Sequence, residues 1–309
     1  MNNPCELCGS RRSLILFEGH DWLQDQPVSS QVVQCSQCGL VYLWPPPERP
    51  LDVYPQDYAP HVGREESTDL AYSVGHRGGL LRKARLACAQ ASGPLLDVGC
   101  ASGEFLSAVR GLDGNRTLWG TDISRQAALR ARHRRDIDVW IGDLPGLALA
   151  DGSVGVVTLW HVLEHLPHPL EALGDLGRAL QPDGALVLAC PMSDSWEARL
   201  FGRYWSGYDV PRHLYTFSRQ TLSQMLDLAG FDYVEVPNIV RGYNSARLSA
   251  AFWLQTTAVG RRSRFLLRAL TALLGAGVAL GSELLSWVFG NHRAIGVFVA
   301  RKRPVTESG

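Results

Sequence analysis

The chain has 309 residues, 30 Lys plus Arg against 30 Asp plus Glu, and no formal net charge. That length can bury a sizeable core in one large or two modest domains, and the balanced charge lacks the basic surplus of a dedicated nucleic-acid binder. The N-terminal MNNPCELCGS has no apolar stretch of the kind a signal peptide needs, and an odd number of cysteines, seven, points to a reducing, cytoplasmic setting where thiols are ligands or core residues.

The chain opens with two Cys-x-x-Cys units, Cys5/Cys8 and Cys35/Cys38, each followed by a glycine, Gly9 and Gly39. Two thiolates so spaced grip one ion if the chain turns tightly, and glycine permits the left-handed conformation such a turn wants. Four thiolates close a tetrahedral structural zinc site with no open position. Disulfides, or a degenerate site with no metal, are the alternatives. Arg11 and Arg12 are the only Lys or Arg residues before Arg49, which argues against a nucleic-acid surface on this module. WPPPERPLDVYPQDYAP comes next, and its prolines forbid helix and favour extended chain. We expect a zinc-binding module over 1–44 and a semi-rigid connector over 45–75, with Tyr54 and Tyr58 packing against the next domain. HRGGLLRKARLACAQ, from His76, reads as a helix.

From Pro94 strands and helices alternate. GPLLDVG, RTLWGTDIS, DVWIGD, SVGVVTLWHV and GALVLACP read as strands; EFLSAVRGL, RQAALRARHRR and PLEALGDLGRAL read as helices. This alternation predicts parallel βαβ units in a doubly wound sheet. Ligands bind such sheets at the carboxyl ends of the strands. The first strand ends in Asp97, Gly99, Cys100, Ala101, Ser102 and Gly103, small residues that let a ligand approach a helix N-terminus. Asp122, at the end of the second strand, suits the hydroxyls of a ribose, and Asp143, at the end of the third, an adenine amino group. Cys100 and Cys190 read as small core residues rather than nucleophiles.

The motifs LLDVGCASGEF, LWGTDIS, IGDL, VVTLWHVLEHL and LQPDGALVLACP, in that order over about residues 93–192, resemble those of class I S-adenosylmethionine-dependent methyltransferases. The resemblance implies an α/β, Rossmann-like seven-stranded sheet that binds S-adenosylmethionine. It implies that Asp97, Gly99 and Gly103 shape the methionine-end pocket, with Cys100, Ala101 and Ser102 lining it by backbone. Asp122 would hold the ribose and Ile123 would lie against the adenine. Asp143 and Leu144 would bound the adenine, and Trp160 and His161 would stand beside the sulfonium. The family's fourth strand usually begins with Phe-Asp; Val154 and Gly155 stand there, for which we expect a small packing change. His161, Glu164, His165 and His168 in WHVLEHLPHP suggest a metal, but the resemblance assigns Glu164 and His165 to fixing the loop.

WEARLFGRYWSGYDVPRHLYTF is rich in Trp, Tyr, Arg and His, and similar methyltransferases carry a W-x-G-x-D-x-P-R-H-like segment here. Asp209, Arg212 and His213 are candidates for orienting the acceptor and removing its proton, His213 being suited to base work near neutral pH. The rival reading is a structural Asp209–Arg212 ion pair with His213 packed. Ser218 would cap a helix ending at Gly230. FDYVEVPNIV and AIGVFVARK would form the sixth and seventh strands, so the catalytic domain would comprise 76–240 and 293–303.

Between them lies an insertion, 241–292. Six arginines (241, 247, 261, 262, 264 and 268) and no acid occur from Arg241 to Ser282, and Ala269 to Ser282 carry no charge. As a helix the uncharged run spans about 21 Å, short of the roughly 30 Å bilayer core, which argues against a transmembrane span. The alternatives are peripheral contact through 261–290 with an anionic membrane on its inner face, or a helical cap or homodimer face. Gly277 and Gly281 have the spacing for close helix contact. The expected activity is methyl transfer to oxygen, with carbon or nitrogen as the alternatives, of a small-molecule or lipid-linked acceptor from a cell-surface sugar, quinone or lipid pathway. A catalytically silent cofactor-binding scaffold and an RNA methyltransferase guided by the zinc module are the rivals.

Overall fold

The computed structural model describes residues 4–48, 53–54, 70–134, 136–142, 144, 149–237, 239–240, 242–257, 264–289 and 292–303; for 70–75, 264–268 and 289 only the backbone is described. Tyr58, Asp143, Arg241, Arg261 and Arg262 therefore lie outside the described residues.

The N-terminal module is an antiparallel sheet of β1 (Ser13–Asp21), β2 (Gln26–Cys35) and β3 (Val41–Trp44). A helix, α1 (Leu70–Cys88), leads into the main domain and begins six residues earlier than the sequence suggests. There follow β4 (Leu95–Val98), α2 (Glu104–Leu112), β5 (Leu118–Asp122), α3 (Arg125–Arg132), β6 (Asp138–Ile141), β7 (Val154–Trp160), α4 (Pro169–Ala179) and β8 (Leu180–Pro191). The chain continues through α5 (Trp196–Phe201), β9 (Tyr215–Thr216), α6 (Arg219–Leu228), β10 (Phe231–Glu235), α7 (Tyr243–Gln255), α8 (Arg264–Phe289) and β11 (Ile295–Lys302).

Seven strands make one sheet in the order β10-β11-β8-β7-β4-β5-β6. The five strands from β8 to β6 are parallel, and β11 runs antiparallel to both β8 and β10. All four residues of β4 are buried, as a strand covered on both faces requires. Leu95 packs with Leu106, Val109 and Leu118 on one face, and Leu96 with Leu159, Leu173 and Leu176 on the other. The order reverses direction between β4 and β7, which opens a crevice at their carboxyl ends. The Val154–Gly155 departure has a packing cause: a Cβ on Gly155 would lie 1.8 Å from the Ser92 carbonyl oxygen. α6 carries its expected cap, a reciprocal box between Ser218 and Thr221.

Sequence periodicity gave no sign of β9. Its two residues pair with Val41 and Tyr42 of β3, so a segment from beyond residue 200 completes the N-terminal sheet. The Leu43 N–H also donates to the Leu214 carbonyl at 2.9 Å. One apolar cluster runs from Leu96, Leu159 and Phe217 into Cys5, Leu7, Val33, Leu40 and Tyr42. At the seam Arg212 donates from Nη1 and Nη2 to the two oxygens of Asp21, both at 2.8 Å. It donates to Asp209 Oδ1 from Nε at 3.0 Å and Nη2 at 2.8 Å. Both the Arg212 and Asp21 side chains are 1% exposed.

The insertion holds α7 and α8, packed on each other. Their close approach is at Gly275, where a Cβ would lie 2.6 Å from the Arg247 Cα; Gly277 and Gly281, singled out by spacing, have nothing within 4 Å of theirs. The length argument from the uncharged run also fails. α8 has 26 residues, about 39 Å, because the helix continues through Glu283, whose carboxylate meets Arg293 Nε at 2.9 Å. Ala269–Val288 has mean hydropathy 1.5 and is only 22% buried, so by length and composition it could cross a bilayer.

Breaking a buried ion pair from one side leaves an uncompensated charge, which costs about 3–5 kcal/mol. Arg212→Ala is expected to lose about that much in urea denaturation, and Asp21→Ala, with Arg212 still facing Asp209, less.

Candidate functional site

The loop after β4 is shaped by three left-handed residues, Gly99 (φ 68°), Ala101 (φ 47°) and Gly103 (φ 76°). Its small residues answer partly to packing. A Cβ on Gly99 would lie 2.5 Å from Val162 Cγ2, and one on Gly120 of β5 would lie 2.8 Å from the Cys100 sulfur. Cys100 is buried, and burial pushes its thiol well up, so it sits there as a core residue. Asp122, at the end of β5, ties the loop down: Oδ2 accepts from the Ala101 N–H and Oδ1 from the Ser124 N–H, both at 2.8 Å.

These residues floor a cavity of about 530 Å³. Gly99, Ala101, Asp122, Ile123, Gly142 and Leu144 line one side. Trp160, His161, Val162, His165 and His213 line the other. Tyr54 from the connector and Asn244, Ser245 and Leu248 from α7 complete the wall, so the insertion contributes directly to the site. His161 is held at φ 63°, a conformation that costs a non-glycine residue of order 1–3 kcal/mol and persists where the surroundings over-determine it.

Asp97 and Ser102 are buried beneath this surface. Thr158 Oγ1 donates to Asp97 Oδ1 at 2.6 Å. Burial pushes the Asp97 carboxyl up to about 7, against the opposing pull of that hydrogen bond and of Lys83. Lys83, on α1, was missed by sequence reasoning. Its ammonium lies 4.7 Å from the Trp160 ring centroid, and burial brings it down to about 8. Nothing local marks it, since it precedes every motif and reaches the site only by packing.

The histidine wall is layered. Glu164 is 0% exposed, and His161 Nδ1 is 3.4 Å from its Oε1. Burial alone would raise the Glu164 carboxyl, but the His161 imidazole beside it and the nearby His213 and His165 hold it below the ordinary value. His165 is pushed down to about 4, first by burial and then by His213. Its Nδ1 lies 2.9 Å from the Arg212 carbonyl and 3.1 Å from the Tyr54 hydroxyl. His213 Nδ1 lies 2.8 Å from the Gly207 carbonyl. Asp209 stands behind His213, with Oδ2 3.9 Å from Nε2. It lines a separate cavity of about 300 Å³, with Phe17, His20, Trp22, Trp205, Tyr208 and Phe252. Of the three candidates from that segment, only His213 faces the larger cavity. Arg212 faces Asp21.

At the far end of the module, Cys5 and Cys38 sulfurs are 3.6 Å apart, as are those of Cys8 and Cys35. A tetrahedron with metal–sulfur bonds of about 2.3 Å has edges of about 3.8 Å, so the four thiols fit zinc. Gly9 (φ 70°) and Gly39 (φ 81°) adopt the left-handed turn. Gly9 N–H donates to the Cys5 carbonyl and Gly39 N–H to the Cys35 carbonyl, making two matching knuckles.

Residues 74–236 match the methyltransferase domain family, a little over half of the chain. The chain is 33% identical over 105 residues to an uncharacterized 37.1 kDa protein in transposon TN4556 of Streptomyces fradiae, which covers 32% of this chain and 30% of that one. It is 29% identical over 171 residues to a probable S-adenosylmethionine-dependent methyltransferase of Mycolicibacterium smegmatis, covering 54% and 62%. The chain thus spans about a third of the first relative and under two thirds of the second. Among solved structures, it is similar to a chain of the complex between the Haloferax volcanii Trm112 methyltransferase activator and the putative methyltransferase. The TM-score is 0.50 at 17% identity, covering 76% of this chain and 95% of that one, a likeness of fold.

Proposed function

The chain belongs to the methyltransferase domain family and carries a class I S-adenosylmethionine-dependent domain, and from that premise we propose that it methylates an oxygen of a small or lipid-linked acceptor. The observation that carries this reading is the two-sided cavity: the Asp122 clamp and the glycine loop on one wall, His161 and His213 on the other. Asp122 would hold the ribose, and Ile123 and Leu144 the adenine. Gly99 to Gly103 would turn backbone toward the methionine end over the buried Asp97, whose carboxyl the Thr158 hydroxyl and then Lys83 pull down against its burial. The acceptor would enter under α7 and meet His161 and His213. His213 would orient its hydroxyl, with Asp209 fixing the segment through Arg212, and His161 would accept the proton. As the sulfur–methyl bond breaks the oxygen–methyl bond forms, leaving neutral S-adenosylhomocysteine. Much of the rate would come from alignment, since in-line positioning is the main demand of the transfer.

Zinc on Cys5, Cys8, Cys35 and Cys38 would be structural, with no open position for substrate. Its place in the reaction would be to stiffen the sheet that β9 completes, and so the loop bearing His213.

α8 favours an acceptor presented at a membrane. Leu273, Leu280, Leu284, Val288 and Trp287 are exposed along it, the last at 83%. A leucine- and tryptophan-rich face beside an arginine-rich stretch suits an anionic interface. A second copy of the chain could cover the same face.

Asp122→Asn is expected to weaken S-adenosylmethionine binding by at least about tenfold in calorimetry, worth roughly 1.4 kcal/mol; parental affinity would remove the clamp from the cofactor site. In transfer assays with tritiated cofactor against panels of nucleotide sugars, quinols and polyprenyl-linked acceptors, His161→Ala should lose turnover while retaining cofactor binding. Failure of the intact protein to bind cofactor would favour a silent scaffold. Cys35→Ser should lose the tightly held zinc on metal analysis and melt at lower temperature. Full-length protein should co-sediment with anionic liposomes and a Leu280→Glu/Leu284→Glu/Trp287→Glu variant should not; an intact protein that stays in the supernatant would leave the soluble acceptors.

A further inference from the structure

We propose that Glu164, His165 and His213 form a divalent-metal site on the acceptor side of the cavity, separate from the four cysteines. One ligand atom from each residue lies within 4.8 Å of the others. The two imidazoles meet edge to face with centroids 4.6 Å apart.

Three features make this a site rather than a crowded corner. The first is the state of the imidazoles. A backbone carbonyl only accepts, so the tautomers that satisfy the Arg212 and Gly207 carbonyls put hydrogen on Nδ1 of His165, whose other neighbour, the Tyr54 hydroxyl oxygen, can also accept it, and on Nδ1 of His213. In the neutral ring Nε2 then keeps its lone pair. Metal-bound histidines are held in this way, their other nitrogen donating to a carbonyl or carboxylate. Neither Nε2 has a hydrogen-bond partner among the described residues, and the contact of His213 Nε2 with Asp209 is too long for one at 3.9 Å.

The second is the carboxylate. Both oxygens of Glu164 are buried without a hydrogen bond, and His161 Nδ1 stands 3.4 Å from Oε1. A buried carboxylate so poorly satisfied is costly, and such groups in proteins are paired or hold metals. The third is the scaffold. The Leu214 N–H donates to the Glu164 carbonyl at 2.8 Å, tying together the two segments that supply the ligands. Arg212, between them in the ion-pair network, fixes the second segment.

Two imidazoles and one carboxylate suit a first-row ion such as zinc, cobalt, iron or manganese better than magnesium, which prefers oxygen. Three protein ligands leave a position for an outside oxygen, the mark of a catalytic rather than a structural site. The candidate ligand atoms lie within 4.8 Å of one another, against an edge of roughly 3.4 Å for a tetrahedral site with bonds of about 2.0–2.1 Å, so a bound ion would close whatever gap remains. His165 and His213 line the cavity, so the open position faces it.

This deepens the methyltransferase reading and rests on it for the role of the ion, through which His213 would orient the acceptor. An alcohol or phenol oxygen bound there gives up its proton to His161 and then takes the methyl group as the sulfur–methyl bond breaks. The sulfonium's charge leaves as that proton.

The test is titration of the full-length, zinc-loaded protein with Co2+, followed by calorimetry and visible absorption, with S-adenosylmethionine binding measured in parallel. The parent should take up one further equivalent with the ligand-field bands of nitrogen and oxygen donors. Glu164→Gln and His213→Ala, checked for folding by thermal unfolding and cofactor binding, should each lose at least the about tenfold that removal of a supporting partner alone costs. A parent that takes up no Co2+ beyond the cysteine site, or variants that keep parental affinity, would overturn the proposal. Cofactor binding without Co2+ uptake defeats the metal site alone; Co2+ uptake without cofactor binding defeats the methyltransferase reading and leaves the metal site standing.

Discussion

A single guanidinium decides how this molecule is put together. Arg212 places its fork between Asp21, at the end of β1, and Asp209, three residues before it, with nearly all water excluded. Its remaining reach goes to the carbonyls of Val53 and Val210. Charges buried so deeply repay their desolvation only when their geometry and hydrogen bonds are close to complete. The demand is stringent, and it is met only when the N-terminal sheet, the connector and the segment around Asp209 are all in place. The position of His213, and through it one wall of the larger cavity, is inherited from that arrangement.

The parallel sheet could be read from the sequence because its signals are local. Apolar runs such as Leu95–Val98, alternating with capped amphipathic helices, are sufficient to specify βαβ units, and the small-residue loop with Asp122 marks their ligand edge. The cysteine spacing was equally plain. What could not be read was everything defined by a distant partner. β9 is two residues long and is a strand only because β3 lies beside it. The sequence left Arg212 between substrate and structure, since the residue that settles it, Asp21, is 191 positions away. Lys83 carries no motif. The length of α8 was hidden because the helix runs on through Glu283, whose partner Arg293 lies beyond its end.

The insertion is two different things at once. α7 turns Asn244, Ser245 and Leu248 toward the larger cavity, while α8, packed against it at Gly275, carries the exposed leucines and Trp287 outward. A shift of α8 on whatever it contacts would pass through one close helix contact to the roof of the cavity. The cavity wall and the outer surface are therefore neighbours in the mechanical sense.

The closure of the first sheet by β9 also sets a timetable for synthesis. Asp21 leaves the ribosome 191 residues before Arg212, about 10–40 s earlier at 5–20 residues per second. Through that interval the three-stranded module has an open edge at β3 and a carboxylate made for a burial that has not happened. The four cysteines can be gathered during the wait, because the last of them, Cys38, comes soon after Asp21 and long before Arg212. Early metal capture would thus act as a holdfast for a half-built sheet, keeping its edge in register until the strand that completes it emerges from the tunnel.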